Sequence, residues 1–342
     1  MAIKLAVGFQ LAEGNEERFS DLVSDYRDAV AEVYFPWLDT PSGRSALATR
    51  RGHTDWSAQE RLEDELRRIR AMGIRLDLLL NGNCYGGEAL SQHLANHVVS
   101  IVERLRGVCA LDVVTTASPF IAHVLRESFP DVERRASVNM RIGTVKGMEY
   151  MADLFDSFYV QREYNRDLAH IRELREWCGE NGKKLLMLAN SGCMNHCSGQ
   201  TFHDNLVAHE ACVTETQNVR SFLPHTCWRY LKDSAHRVAV LQNSWVRPED
   251  LDRYEGLIDT VKLATRMHRL PGMVIDAYAK RRFYGNLLDL CEPGYGPAFA
   301  PYVLDNQKFP DDWFDRTTSC DKRCHKCTYC AEVLERVLTR VE

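Results

Sequence analysis

What this 342-residue chain lacks narrows its reading first. No stretch approaches the roughly 20 apolar residues that span a bilayer, so no membrane span is expected. The amino-terminal MAIKLAVGFQLAEGNEE soon meets Gln10 and Glu13 and has no small-residue cleavage site. It does not read as a secretory leader, and a cytoplasmic location is expected. Excess positive charge is missing too: the net charge is −5, so no global field draws the chain to nucleic acid. The short patch Lys280-Arg281-Arg282 reads as a solvated helix face. No glycine-rich phosphate loop follows the first apolar run, which counts against a dinucleotide-binding domain. There is no His-Glu-x-x-His helix and no evident Ser–His–Asp spacing, and hence no direct hydrolytic signature. Internal repeats and low-complexity tracts are absent as well.

Cysteine, by contrast, is plentiful. In a reducing compartment, 12 cysteines are better explained by metal ligation or redox chemistry than by disulfides.

Short apolar runs alternate with amphipathic helical stretches along most of the chain. Strands are predicted at residues 3–9, 31–37, 74–81, 110–116, 136–140, 157–162, 184–189 and 260–264. Helices are predicted at 57–72, 90–105, 120–129, 145–155 and 167–179. Gly73, Gly107 and Gly182 follow three of these as left-handed caps, and Pro119 opens another. Eight such repeats in about 270 residues fit an α/β fold of the (β/α)8 TIM-like barrel type. The barrel carries a Cys-rich insertion after strand 7 and a Cys-rich C-terminal extension. The expected division is residues 1–284 for the barrel and 285–342 for the extension, which closes on a helix over 331–341.

In such barrels the loops after the strands build the working face. Asn81, Asn83 and Cys84, then Asn139 and Arg141, Gln161, Arg162 and Glu163, Asn190 and Cys193, and Lys262 and Arg266 all fall there. Amide, guanidinium and ammonium groups at that face suit an anionic or carbonyl-bearing substrate.

The insertion holds Cys193, Cys197, Cys212 and Cys227 among His196, His203, His209 and His225. Four thiolates satisfy a [4Fe–4S] cluster or a tetrahedral zinc. The spacing is unlike a zinc ribbon's paired Cys-x-x-Cys, which ranks iron–sulfur ahead of zinc. His203 and His209 read as polar support, with Asp204 placed to orient one of them. The extension packs Cys320, Cys324, Cys327 and Cys330 into CDKRCHKCTYC, a second metal-binding pattern that suits a second cluster or zinc. Its first three cysteines also match the radical-SAM spacing. That reading is disfavoured, because the motif follows every strand and Cys330 supplies a fourth thiol. Cys109 and Cys178 read as small apolar residues.

Three segments together resemble the peptidase U32 (collagenase-like protease) family: VQREYNRDLAHIRELRE at 160–176, LANSGCMNHCSGQTFHDN at 188–205 and SWVRPEDLDRYEGLIDTVKLATR at 244–266. Thr265 stands where that family's last motif has glycine. The resemblance implies a barrel enzyme with a [4Fe–4S] cluster on Cys193, Cys197, Cys212 and Cys227. Some members perform oxygen-independent hydroxylation of RNA or the ubiquinone ring, while others carry a peptidase label. It places Arg162, Glu163, Lys262 and Arg266 as catalytic or substrate-positioning residues. The expected substrate is an RNA, a quinone, a small molecule or a peptide, with an electron-donor protein and a homologous partner subunit as partners. A U32-type peptidase and a non-catalytic, metal-stabilised partner protein are the alternatives.

Overall fold

The structure, a computed structural model, describes residues 3–14, 16–38, 40–42, 55–219 and 221–341. Eight parallel strands close into a barrel in sequence order. They are β1 (Lys4–Gly8), β2 (Val30–Pro36), β3 (Arg75–Leu80), β4 (Val113–Thr116), β5 (Glu133–Ala136), β6 (Ser157–Tyr159), β7 (Lys184–Leu188) and β8 (Thr260–Leu263). Closure comes from β8 pairing with β1, Lys262 opposite Ala6 and Leu263 opposite Val7.

The helices follow from local signals. α1 (Phe19–Asp25) precedes β2, and α2 (Trp56–Ala71) starts on Asp55, whose carboxylate accepts from the Ala58 amide. Ser91 caps α3 (Gln92–Cys109), and Ser118 caps α4 (Pro119–Ser128), with Pro119 in its first turn as expected. α5 (Val145–Glu149) is shorter than the expected 145–155, which continues as turns. Asp167 caps α6 (Leu168–Glu180). Gly73 (φ 81°) and Gly182 (φ 63°) take the left-handed conformation after α2 and α6. Gly107 does not: α3 runs through it, and Ala110 (φ 58°) ends the helix instead.

The expected fifth strand, 136–140, is displaced. The strand is Glu133–Ala136, and Val138–Met140 forms one 3-10 turn. Glu-Arg-Arg-Ala looks like a surface segment, but Arg135 points into the barrel and is buried there by ion pairs. Strand alternation explains the division. Leu5, Val7, Val33, Phe35, Leu76, Leu78, Val261 and Leu263 join the large apolar core beneath the helices. Their neighbours Glu32, Asp77, Arg135 and Lys262 form a polar interior.

Between β7 and β8 the insertion folds into α7 (Gln200–Ala208), α8 (Glu210–Thr216) and α9 (Thr226–Tyr230). After α10 (Pro271–Ala279), the chain runs through α11 (Gly296–Phe299), β9 (Tyr302–Leu304), α12 (Trp313–Thr318) and α13 (Tyr329–Val337). The expected helix over 331–341 stops at Val337. Leu338–Arg340 forms β10, zipped antiparallel to β9, because that strand offers an edge to the tail.

This C-terminal segment is bolted to the barrel by Arg166. The buried guanidinium donates to the Trp245 carbonyl at 2.7 and 2.9 Å and to the Leu241 carbonyl at 2.9 Å. It also stacks on Trp245 at 4.1 Å and on Trp313 at 5.1 Å. Among the described residues, no helix is long and apolar enough to cross a membrane.

Candidate active site

The mouth is shaped by the Asn-Ser-Gly that ends β7. The Asn190 amide donates to the Ala264 and Leu290 carbonyls at 3.2 and 2.9 Å, and its oxygen accepts from the Ala264 amide at 2.6 Å. One side chain thus ties β7 to β8 and to the segment before Pro293. Gly192 is required by close approach: a Cβ there would lie 2.0 Å from the Pro293 carbonyl oxygen. The Gly192 amide donates to the Glu292 carbonyl at 3.0 Å.

Above the strand ends lies a cavity of about 160 Å³. Six of the strand-end residues expected at the working face line it: Asn81, Asn139, Arg162, Cys193, Lys262 and Arg266. Cys197 and Cys227 join Cys193 in its wall, as do His203 and Asp204 of α7. Cys212 is on α8, outside the wall. Burial opposes charge on Arg162, but Cys193, Asp204 and Glu163 beside it outweigh that cost and hold it firmly protonated. Burial pushes the Cys227 thiol up, partly offset by the Tyr295 hydroxyl against it. His203 meets His225 edge-on at 4.7 Å.

Three of the four cysteines expected to hold a [4Fe–4S] cluster, Cys193, Cys197 and Cys227, thus line one cavity as soft donors. They are not drawn into a cage. Among the described residues, no three His, Cys, Asp or Glu side chains stand in position to hold a metal ion.

Other expected residues serve elsewhere. Glu163 is buried behind the cavity and accepts from Arg141 at 2.7 Å. Cys84 accepts from the Gly86 amide at 3.4 Å, also outside the cavity wall. His209 ends α7 outside the wall. Cys109 and Cys178 are buried core residues, as expected, and burial pushes both thiols up, Cys109 to about 11 and Cys178 to about 12. Cys320, Cys324 and Cys327 are exposed and Cys330 is half-buried, in and after the loop from α12 to α13. That second group lies outside the cavity wall. It is tethered by Lys322, whose ammonium donates to the Arg166 carbonyl at 3.1 Å.

Below the cavity floor is a charge network with no counterpart among the expected site residues. Arg135 donates to Glu32, to Glu133 at 2.8 Å, to Ser157 at 3.2 Å and to Asp77 at 3.3 Å. Thr115 donates to Asp77 at 2.8 Å. Burial would raise Glu133, but Arg135, Arg75 and Lys184 outweigh it and hold its carboxyl well below the usual range. Asp77 goes the other way, because burial and Glu32 outweigh the pull of Arg135. Only the alternation of inward positions in β2, β3 and β5 could have signalled this network.

Lys262 sits between network and cavity. It is 7% exposed, its ammonium lies 3.8 Å from the centre of the Tyr34 ring, and the Tyr159 ring is 5.4 Å away. Thr265 anchors the turn after β8: its hydroxyl accepts from the Gly8 amide at 2.6 Å, and its amide donates to Tyr34 Oη at 3.3 Å.

No family model matches the chain. Over 287 residues it is 26% identical to a Methanocaldococcus jannaschii protein named an uncharacterized protease, MJ1657, covering 82% of each chain. Its fold is that of the U32 peptidase Mk0906, with a TM-score of 0.54 and 18% identity over 76% of this chain and 92% of that one.

Proposed function

We infer that this U32-type barrel carries a metal–thiolate centre at its mouth and works as an iron–sulfur oxidoreductase or hydroxylase. The observation behind this reading is the meeting of Cys193, Cys197 and Cys227 with Arg162, Lys262 and Arg266 around one cavity. Cys212, on α8 of the same insertion, is the proposed fourth ligand.

A cluster bound there supplies electrons. The chain's own residues do the rest. Arg162 offsets thiolate charge beside Cys193. Lys262 and Arg266 attract an anionic or carbonyl-bearing group, and the Asn81 and Asn139 amides orient it. The cavity suits a small molecule, a quinone ring or a single RNA base. An electron-donor protein and a homologous subunit are the proposed partners, in the cytoplasm. Cys320, Cys324, Cys327 and Cys330 hold a second cluster or zinc in this reading.

Anaerobic purification followed by iron, sulfide and zinc analysis tests it. About four irons per chain, lost in Cys193→Ala, are expected for one cluster, and about eight for two. A colourless chain holding only zinc, or no metal, would sink it.

The names of the relatives favour a peptidase instead. Against that, the Ser191 hydroxyl in the cavity wall makes no hydrogen bond among the described residues, so no base is aimed at it. Cleavage of a peptide panel that survives removal of metal but not Lys262→Met would establish that reading.

A further inference from the structure

The cavity holds an amine whose surroundings differ from those of its charged neighbours. Lys262 projects from the last barrel strand into the cavity wall, yet its ammonium makes no hydrogen bond and no ion pair within 4 Å among the described residues. Its contacts are aromatic faces, Tyr34 at 3.8 Å and Tyr159 at 5.4 Å. The carboxylates that would neutralise it, Glu32 on β2 and Asp77 on β3, are both engaged by Arg135 on β5. Arg266, just beyond β8, adds a further positive charge. Burial first, then Arg266 and Arg135, overcome the attraction of Asp77 and Glu32 and lower the Lys262 amine to about 8. A desolvated lysine beside other cations is the usual way to keep a neutral, nucleophilic amine near neutral pH.

We propose that Lys262 is a carbonyl-capturing nucleophile that forms an imine with a small aldehyde or ketone bearing an anionic group. The amine nitrogen bonds to the carbonyl carbon, the carbon–oxygen bond breaks, and the oxygen leaves as water with both amine hydrogens. No oxidant or reductant takes part. The anionic group of the same molecule meets Arg266 and Arg162, which line the cavity with Lys262. The competing role for Lys262 is a buried counter-charge for the acidic interior. Arg135 already fills that role, because it touches Glu32, Asp77 and Glu133 directly. The proposal stands on the cavity and the amine alone, so it holds with or without metal on the neighbouring cysteines.

Reductive trapping of the full chain tests it. The protein is incubated with cyanoborohydride and pyruvate, dihydroxyacetone phosphate or acetone, and the modified lysine is located by peptide mass spectrometry. Trapping on Lys262 by an anionic probe is expected, with acetone far slower. Arg266→Gln should slow both probes as the Lys262 amine regains its proton, but lower trapping by pyruvate about tenfold more than trapping by acetone, the worth of one charge-assisted contact. Lys262→Met and Lys262→Arg, each checked for native circular dichroism, should lose the label at this site. Labelling confined to surface lysines, or equal trapping of neutral and anionic probes at Lys262, would overturn the proposal. The same samples, metal-loaded and metal-stripped, separate this result from the fate of the metal reading.

Discussion

Arg135 shows how much one residue decides in this molecule. It is 1% exposed and binds three carboxylates and a hydroxyl in the middle of the barrel. Replacing it by Met would take the cation from Asp77 and leave Glu32 and Glu133 to Arg75 and Lys184 at the edge of the network, in a medium that solvates carboxylates poorly. Loss of one partner from a buried ion network typically costs about 3–5 kcal/mol, and urea unfolding of Arg135→Met should show a loss of that order. Glu133 gives the pH counterpart. Its carboxyl is held low when folded, so its stabilising effect is complete above the ordinary glutamate range and fades as pH falls through and below about 4. Wild type should therefore exceed Glu133→Gln in stability at pH 7, and the gap should narrow steadily on acidification. A gap independent of pH would contradict the assignment.

At the scale of elements, the barrel was readable because eight apolar runs with helical stretches between them leave few other folds. Seven of the eight barrel strands lie at or within a few residues of the expected runs; the exception is β5. It was misplaced because its inward residue is a cation, and apolar periodicity is blind to a polar barrel interior. The expected helix starts at 57, 90, 120 and 167 fall within two residues of the observed ones, where Asp55, Ser91, Ser118 and Asp167 accept from free amides. Gly107 misled, since nothing in the sequence marks Ala110 as the left-handed residue. The site was half legible. Spacing alone placed Cys193 and Lys262 at strand ends, whereas Tyr34, Asp204 and Cys227 reach the cavity only through folding of distant segments. The turn after β7 yields its own prediction. A methyl added at Gly192 meets a backbone carbonyl that cannot swing aside. Gly192→Ala should cost about 1–3 kcal/mol in thermal or urea unfolding and disturb the Cys193 environment.

For the whole molecule, the architecture sets two cysteine groups on either side of one short segment. Arg162, beside Cys193, and Arg166, which fastens the C-terminal tail, are four residues apart. Three of the inner four, Cys193, Cys197 and Cys227, share a cavity with Arg162, Lys262 and Arg266, while most of the outer group is exposed. If the outer four thiols hold metal, its removal should loosen the tail without opening the barrel, because α12 and α13 also pack through Trp313 and Val333. Limited proteolysis after chelation should then cut near residues 319–328 first, and earliest cleavage within the barrel would argue against it. The most direct test of the proposed metal centre at the mouth is Mössbauer spectroscopy of anaerobic, iron-57-labelled protein, comparing wild type, Cys197→Ala and Cys324→Ala. An iron–sulfur signal abolished or sharply reduced by Cys197→Ala, and surviving at least in part in Cys324→Ala, is the result expected. A signal untouched by Cys197→Ala, or no iron signal in wild type, would contradict a cluster at the barrel mouth.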